Sequence, residues 1–243
     1  MGQFPFGRVV PAGCALGRVV DIVGHGVSDR VRMVFGASAI STTEADCIEA
    51  VRAIRQGCLA YSAAGGNLEC VMTGIARTIW AIAEYDPDEG LTVRGDSGFD
   101  VYRSFYRLKQ TRKYDCDCAT VSSCAILSML GYSCGARVIE QKDKTSGEWG
   151  WSHIYPFGID RSTHRLVPLE LTPVPPDGHK APVGWQTPST TYRRHLDFLY
   201  EPGTWSEWVK KCDLGAGLLA PLPRLSPARI AACDNCGLCN ATP

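Results

Sequence analysis

The segment Tyr114-Asp115-Cys116-Asp117-Cys118 leads into an apolar run ending at Leu130-Gly131. Asp115 is a good N-cap and Gly131 a good stop, so the spacing predicts a helix of about four turns opened by Cys116. A thiol there faces the positive end of the helix macrodipole and free amides, which stabilise a thiolate and can donate to an oxyanion on a substrate carbonyl. That is the chemistry of nucleophilic attack on an acyl group. It needs an imidazole to act as base and a third group to orient the imidazole. Trp149, Trp151, His153, Tyr155 and Phe157 alternate strictly, which predicts a strand carrying four aromatics and the histidine on one face. Arg165 to Leu171 reads as the next strand, with Val167, Leu169 and Leu171 on one face and Glu170 on the other. Neighbouring strands lie about 4.8 Å apart, so His153 and Glu170 can meet. Asp160, in the intervening turn, is the rival orienter.

A second set of residues suggests metal chemistry. Cys233-Asp-Asn-Cys236-Gly-Leu-Cys239 spaces three thiols at i, i+3 and i+6, and Cys212 precedes them by twenty-one residues. Three thiolates in a glycine-containing turn can converge on one ion, as in zinc ribbons and iron–sulfur proteins. Cys212 is the first candidate for the fourth ligand, with His195 or Cys134 behind it. Thiolate number and softness suit zinc and a [4Fe–4S] cluster equally. Disulfides or free thiols are the competing readings of the same residues, and Cys118 has Cys124 and Cys134 as candidate bridge partners.

The elements that must position these groups read as follows. Residues 1 to 40 hold seven glycines and two Gly-Arg-Val-Val tetrads, at Gly7 to Val10 and Gly17 to Val20, which suggests a β-hairpin or extended arm. Ser41 and Glu44 form a capping-box pattern, and Cys47, Val51, Ile54, Cys58 and Tyr61 then recur at helical spacing. Asn67 can cap a second helix striped by Leu68, Met72, Ile75, Ile79 and Ile82 until Pro87 stops it. Cys47, Cys58 and Cys70 read as small buried hydrophobes on this helical hairpin. Ala136 to Gln141 is strand-like and opens an antiparallel meander. The order of helices followed by strands predicts an α+β fold. Five prolines between Thr172 and Ser189 mark an irregular connection. The expected division is an arm over 1–40, a core over 41–172, a proline-rich connection over 173–211 and a cysteine-rich tail over 212–243.

Composition narrows the function classes. A chain of 243 residues, 45% hydrophobic, can bury a sizeable core. With 25 basic and 25 acidic residues it has no global field to draw it to nucleic acid or an anionic membrane. No stretch has the roughly 18 to 20 apolar residues of a membrane span. The N-terminus has no room for a secretory signal before its first cysteine, so the expectation is a soluble protein that is not secreted by the usual signal. Twelve cysteines is a high number, yet below the density of a disulfide-dependent miniprotein.

The Asp-Cys-Asp at 115 to 117 heading a helix, the Ser-His-Ile-Tyr at 152 to 155 in a strand and the Leu-Val-Pro-Leu-Glu-Leu-Thr at 166 to 172 together resemble the transglutaminase-like cysteine protein superfamily. More narrowly, they are similar to the type encoded by tailed bacteriophages and prophages, as is the segment Gly74 to Glu84 followed by Tyr85-Asp86-Pro87-Asp88. The resemblance covers residues 70 to 172. It implies a papain-like core, with Cys116 as nucleophile, His153 as base and Glu170 where an aspartate is typical. Tyr114 stands where the family has glycine, and Cys118 where it has a second aspartate. Glutamate shifts the carboxylate by more than about 1 Å, a misplacement that can cost about 100-fold in rate. Two function classes follow. One is a cysteine peptidase or acyl transferase acting on a peptide or cell-wall amide. The other is a catalytically silent virion or tail component that contacts neighbouring virion proteins through its arm and metal-stapled tail.

Overall fold

The computed structural model describes residues 20–21, 27–59, 67–86, 99–100, 102–142, 146–160, 163–174, 179–180, 183 and 191–201. Its elements in chain order are β1 (Val20–Asp21), α1 (Val27–Ser41), α2 (Ala45–Leu59), α3 (Leu68–Ile82), β2 (Glu84–Tyr85), β3 (Phe99–Asp100), α4 (Phe105–Thr111), β4 (Lys113–Tyr114) and α5 (Cys116–Met129). There follow β5 (Cys134–Lys142), β6 (Trp149–Ile159), β7 (Leu166–Pro168), β8 (Pro173–Val174), β9 (His179–Lys180) and β10 (Tyr192–Tyr200). The fold is α+β: a four-stranded antiparallel sheet in the order β10-β5-β6-β7, with the helices packed together and against it.

Helix α5 is the centre of the core. Every residue from Cys118 to Leu127 is buried, and the helix touches α1, α2, α3 and α4 as well as β5 and β6. Its sequence explains this position, because Ala, Ser, Thr and Cys on all sides let neighbouring backbones approach where larger side chains would hold them off. The N-cap is as expected: the Asp115 side chain accepts from the Cys118 amide at 2.9 Å. Asn67 likewise caps α3 by accepting from the Glu69 amide at 2.8 Å.

Several expectations are corrected. The arm expected over 1–40 does not extend that far, because α1 occupies Val27–Ser41 and packs along α5. Val27, Val31, Val34 and Ser38 repeat at 4, 3 and 4, a helical stripe overshadowed in the sequence by the glycine-rich run before it. The buried hydroxyls of Ser38 and Ser41 donate to the carbonyls of Val34 and Ala37. Residues 1–19 and 22–26 lie outside the described residues.

Ser41 and Glu44 do not form a capping box on α2. The Ser41 hydroxyl accepts from the Phe105 amide, and the Glu44 carboxylate accepts from the Ser104 hydroxyl and the Tyr106 amide. Both residues therefore cap α4, some sixty positions away in the chain. A local sequence pattern found a nonlocal use.

The connection expected to be irregular over 173–211 contains β10, which pairs with β5 from Tyr192↔Gln141 to Tyr200↔Cys134. It joins the core that had been expected to end at residue 172. Phe198 and Tyr200 are buried in the main cluster, and Asp197 forms a two-pronged ion pair with Arg137 at 2.7 and 2.8 Å. Finally, Cys58 and Cys70 form a disulfide between α2 and α3, with their Cα atoms 5.8 Å apart, so they are not simple buried hydrophobes. Cys47, Cys118, Cys124 and Cys134 are buried free thiols, so Cys118 is bridged to neither of its candidate partners.

Candidate functional site

The short parallel pair β2–β4 delivers the chain to the start of α5, and Tyr114 is its last residue. The Tyr114 hydroxyl donates to the Leu171 carbonyl at 2.9 Å. This bond joins the helix start carrying Cys116 to the segment carrying Glu170, so Tyr114 acts as a brace. Cys118 is fully buried with an Arg103 nitrogen 3.9 Å from its sulfur. Cys116 is half-buried, and its sulfur lies 3.9 Å from Asp117 Oδ1.

His153 and Glu170 meet. His153 Nε2 lies 2.7 Å from Glu170 Oε2, with the histidine side chain 12% exposed and the glutamate 1%. The other carboxylate oxygen, Oε1, accepts from the Thr172 amide at 3.1 Å and the Thr172 hydroxyl at 2.6 Å. Burial works against ionisation of Glu170, but the charge of His153 and the hydrogen bonds from His153 and Thr172 outweigh it and hold the carboxyl below its ordinary range. An ionised carboxylate at Nε2 makes that nitrogen the donor, which leaves Nδ1 of a neutral ring as the acceptor able to take a proton. Asp160, the rival orienter, instead accepts from the Thr163 amide and hydroxyl in the β6–β7 turn.

Local folding accounts for the meeting. Leu169 and Leu171 are drawn into the main core, so Glu170 between them points the other way. Pro168 ends the β7 ladder because it has no amide hydrogen, and the chain continues beside β6 with the Leu169 amide donating to the Pro156 carbonyl. On β6 the expected single aromatic face is corrected. The register with β5 slips between Ile139 and Glu140, pairing His153 with Ile139 and Trp151 with Glu140, so Ser152 is the extra residue of a bulge. Trp151 packs on the main core, whereas Phe157 belongs to a separate cluster with Ile159. His153 sits where the alternation breaks.

Cys116 and His153 line the same cavity of about 260 Å³, which also takes in Asp115, Asp117, Trp151 and Ser152. Its remaining wall comes largely from α1, through Val27, Arg30, Val31 and Val34. The helical spacing of those valines was the available signal for this wall, and Thr172, two residues after Glu170, was the signal for the clamp. Tyr85 lies within electrostatic reach of Cys116, Asp115 and Glu170. Burial, and then the electrostatic influence of these groups, pushes its hydroxyl well above its ordinary pKa, so it stays protonated beside the site.

The second set of sequence candidates, Cys212, Cys233, Cys236 and Cys239, lies outside the described residues. Of their reserve ligands, Cys134 is buried beside Cys124, and His195 is on β10 with its Nε2 4.0 Å from Asp197. Among the described residues no group of three or more His, Cys, Asp or Glu side chains is arranged to hold a metal ion. No helix among them is long and apolar enough to cross a membrane. No family model, curated protein or solved structure matches the chain.

Proposed function

We propose that this chain is a transglutaminase-like cysteine protein that cleaves or transfers acyl groups through Cys116. The observation that carries the reading is the buried His153–Glu170 contact at 2.7 Å, made by a histidine that shares a cavity with a thiol at a capped helix start. A histidine held only for packing has no need of an ionised, threonine-clamped carboxylate on one nitrogen.

In the proposed reaction, His153 Nδ1 takes the Cys116 proton and the sulfur attacks an amide carbonyl. Amides of the first turn of α5 receive the oxyanion. Collapse of the adduct breaks the C–N bond, with the His153 proton passing to the leaving amine, and a thioester remains on Cys116. Water or a second amine then attacks the thioester, giving hydrolysis or transfer and restoring the thiol. Glu170 holds the ring in the tautomer this cycle requires. The resemblance to phage-encoded chains suggests a virion or tail protein as the setting, with a peptide or cell-wall amide as substrate.

The test is to trap the thioester. The full chain is incubated with an activated ester such as p-nitrophenyl acetate and analysed by intact mass and peptide mapping. An acetyl group on Cys116, absent from Cys116→Ala and slowed in His153→Asn, is expected. Acylation spread over several cysteines and unchanged in His153→Asn would refute the reading and leave a structural virion protein.

A further inference from the structure

Arg30 in the first turn of α1 lines the cavity shared by Cys116 and His153. Its Nε is buried without a hydrogen-bond partner, and among the described residues its guanidinium makes no ion pair. A guanidinium in a cavity wall with no ion pair among the described residues keeps an uncompensated charge, with which an anion entering the cavity can pair. The acidic groups near it are otherwise placed: Asp115 caps its own helix, and Asp117 lies 3.9 Å from the Cys116 sulfur. The neighbouring cation Arg194, stacked 5.3 Å over the Trp151 ring, is held by both oxygens of Glu140. Arg30 is therefore the cavity cation with donors to offer.

We infer that Arg30 anchors a carboxylate of the substrate, so that the amide attacked by Cys116 carries an acidic group close to its scissile bond. A guanidinium presents parallel N–H groups that match a carboxylate in a two-pronged geometry, which a lysine cannot reproduce. The cavity, about 260 Å³, falls just below the roughly 300 to 1,000 Å³ of drug-sized ligand sites, so it suits one acidic side chain rather than a long peptide. Val31, Val34 and Ile154 supply apolar wall for the methylene groups of such a residue, and Trp151 a ring face. The net charge of the chain is zero, so the anion preference is local to this cavity. The inference rests on the proposed thiol chemistry and names its substrate class.

The test compares two alkylating agents that differ by a charge, iodoacetate and iodoacetamide, on the full-length chain, with Cys116 labelling followed by peptide mapping. The iodoacetate-to-iodoacetamide rate ratio at Cys116 is expected to exceed that of a free cysteine by about tenfold or more, the scale of a charge-assisted hydrogen bond. In Arg30→Gln the ratio falls to the free-cysteine value, a change in thiolate fraction cancelling in the ratio, and an unchanged melting temperature reports that the variant is folded. Arg30→Lys retains part of the preference. A reactive Cys116 with no preference for iodoacetate, or with the same preference in Arg30→Gln, overturns the anchor and leaves the thiol chemistry standing. A Cys116 inert to both agents overturns both.

Discussion

At the scale of single residues, the account depends on Glu170 being ionised while buried. Its carboxyl is held below the ordinary range because His153 and Thr172 outweigh the cost of burial. A depressed carboxyl stabilises the fold at pH values above its unfolded pKa of about 4.3, and that stability is lost as pH falls through the lower folded value. Melting temperature measured from pH 6 to pH 2 is expected to fall along an acid limb, and Glu170→Gln is expected to flatten that limb. The same variant should slow Cys116 acylation on the order of 100-fold, because an amide can present its own donor to Nε2 and favour the wrong tautomer. A normal acylation rate in Glu170→Gln would remove Glu170 from the site. Cys116, His153 and Glu170 could be picked out of the sequence because each follows from a local rule: a cap, an alternation, a charge opposite two leucines. Thr172, Tyr114 and Arg30 could not, since their partners come from distant segments and no periodicity links them.

Elements were legible where one face is buried against one neighbour. The stripes of α2 and α3 and the capped start of α5 follow from the 3.6-residue period, and β5 and β6 follow from β-branched and aromatic content. The misses share one cause: tertiary contacts override a local pattern. Serine and glutamate that look like a cap for α2 serve α4, and the bulge at Ser152 redirects half of an alternating row. Strand β10 was hidden by the prolines before it, and its attachment gives a sharp test. At Gly135, a Cβ would lie 2.0 Å from the Phe198 carbonyl oxygen and 2.6 Å from the Phe157 ring, so Gly135→Ala must push β10 or β6 away from β5. The expected cost is at least about 3 kcal/mol, at the upper end of overpacking, read as a lowered denaturation midpoint. A neutral substitution would mean that β10 is not docked at this register. The Cys58–Cys70 disulfide closes a loop of sequence separation 12 between α2 and α3. The loop-entropy model assigns such a closure about 3 kcal/mol, so Cys58→Ser should lose about that much stability, and added reductant should then have no further effect on this pair.

For the whole molecule, the sequence foresaw an α+β fold but drew the core too small. Helix α1 and strand β10, outside the expected 41–172, supply a cavity wall and a sheet edge. The cysteine-rich tail is a separate question, carried by spacing alone. If Cys212, Cys233, Cys236 and Cys239 hold one centre, elemental analysis of the purified chain gives one zinc, or about four irons with visible absorption, per protein. A metal-free protein with these thiols titratable by Ellman's reagent removes that reading and leaves the cavity chemistry untouched. The proposed chemistry requires the folded chain to make one cysteine among its twelve a nucleophile. The most direct measurement is the rate of iodoacetamide labelling of every cysteine at pH 6, folded and in denaturant, resolved by peptide mapping. An ordinary thiol has a pKa of about 8.5 and labels slowly there. The account predicts that Cys116 labels first and fastest in the folded chain, and that denaturation or His153→Asn removes its lead. Labelling of Cys116 at the denatured rate in the folded protein would contradict it.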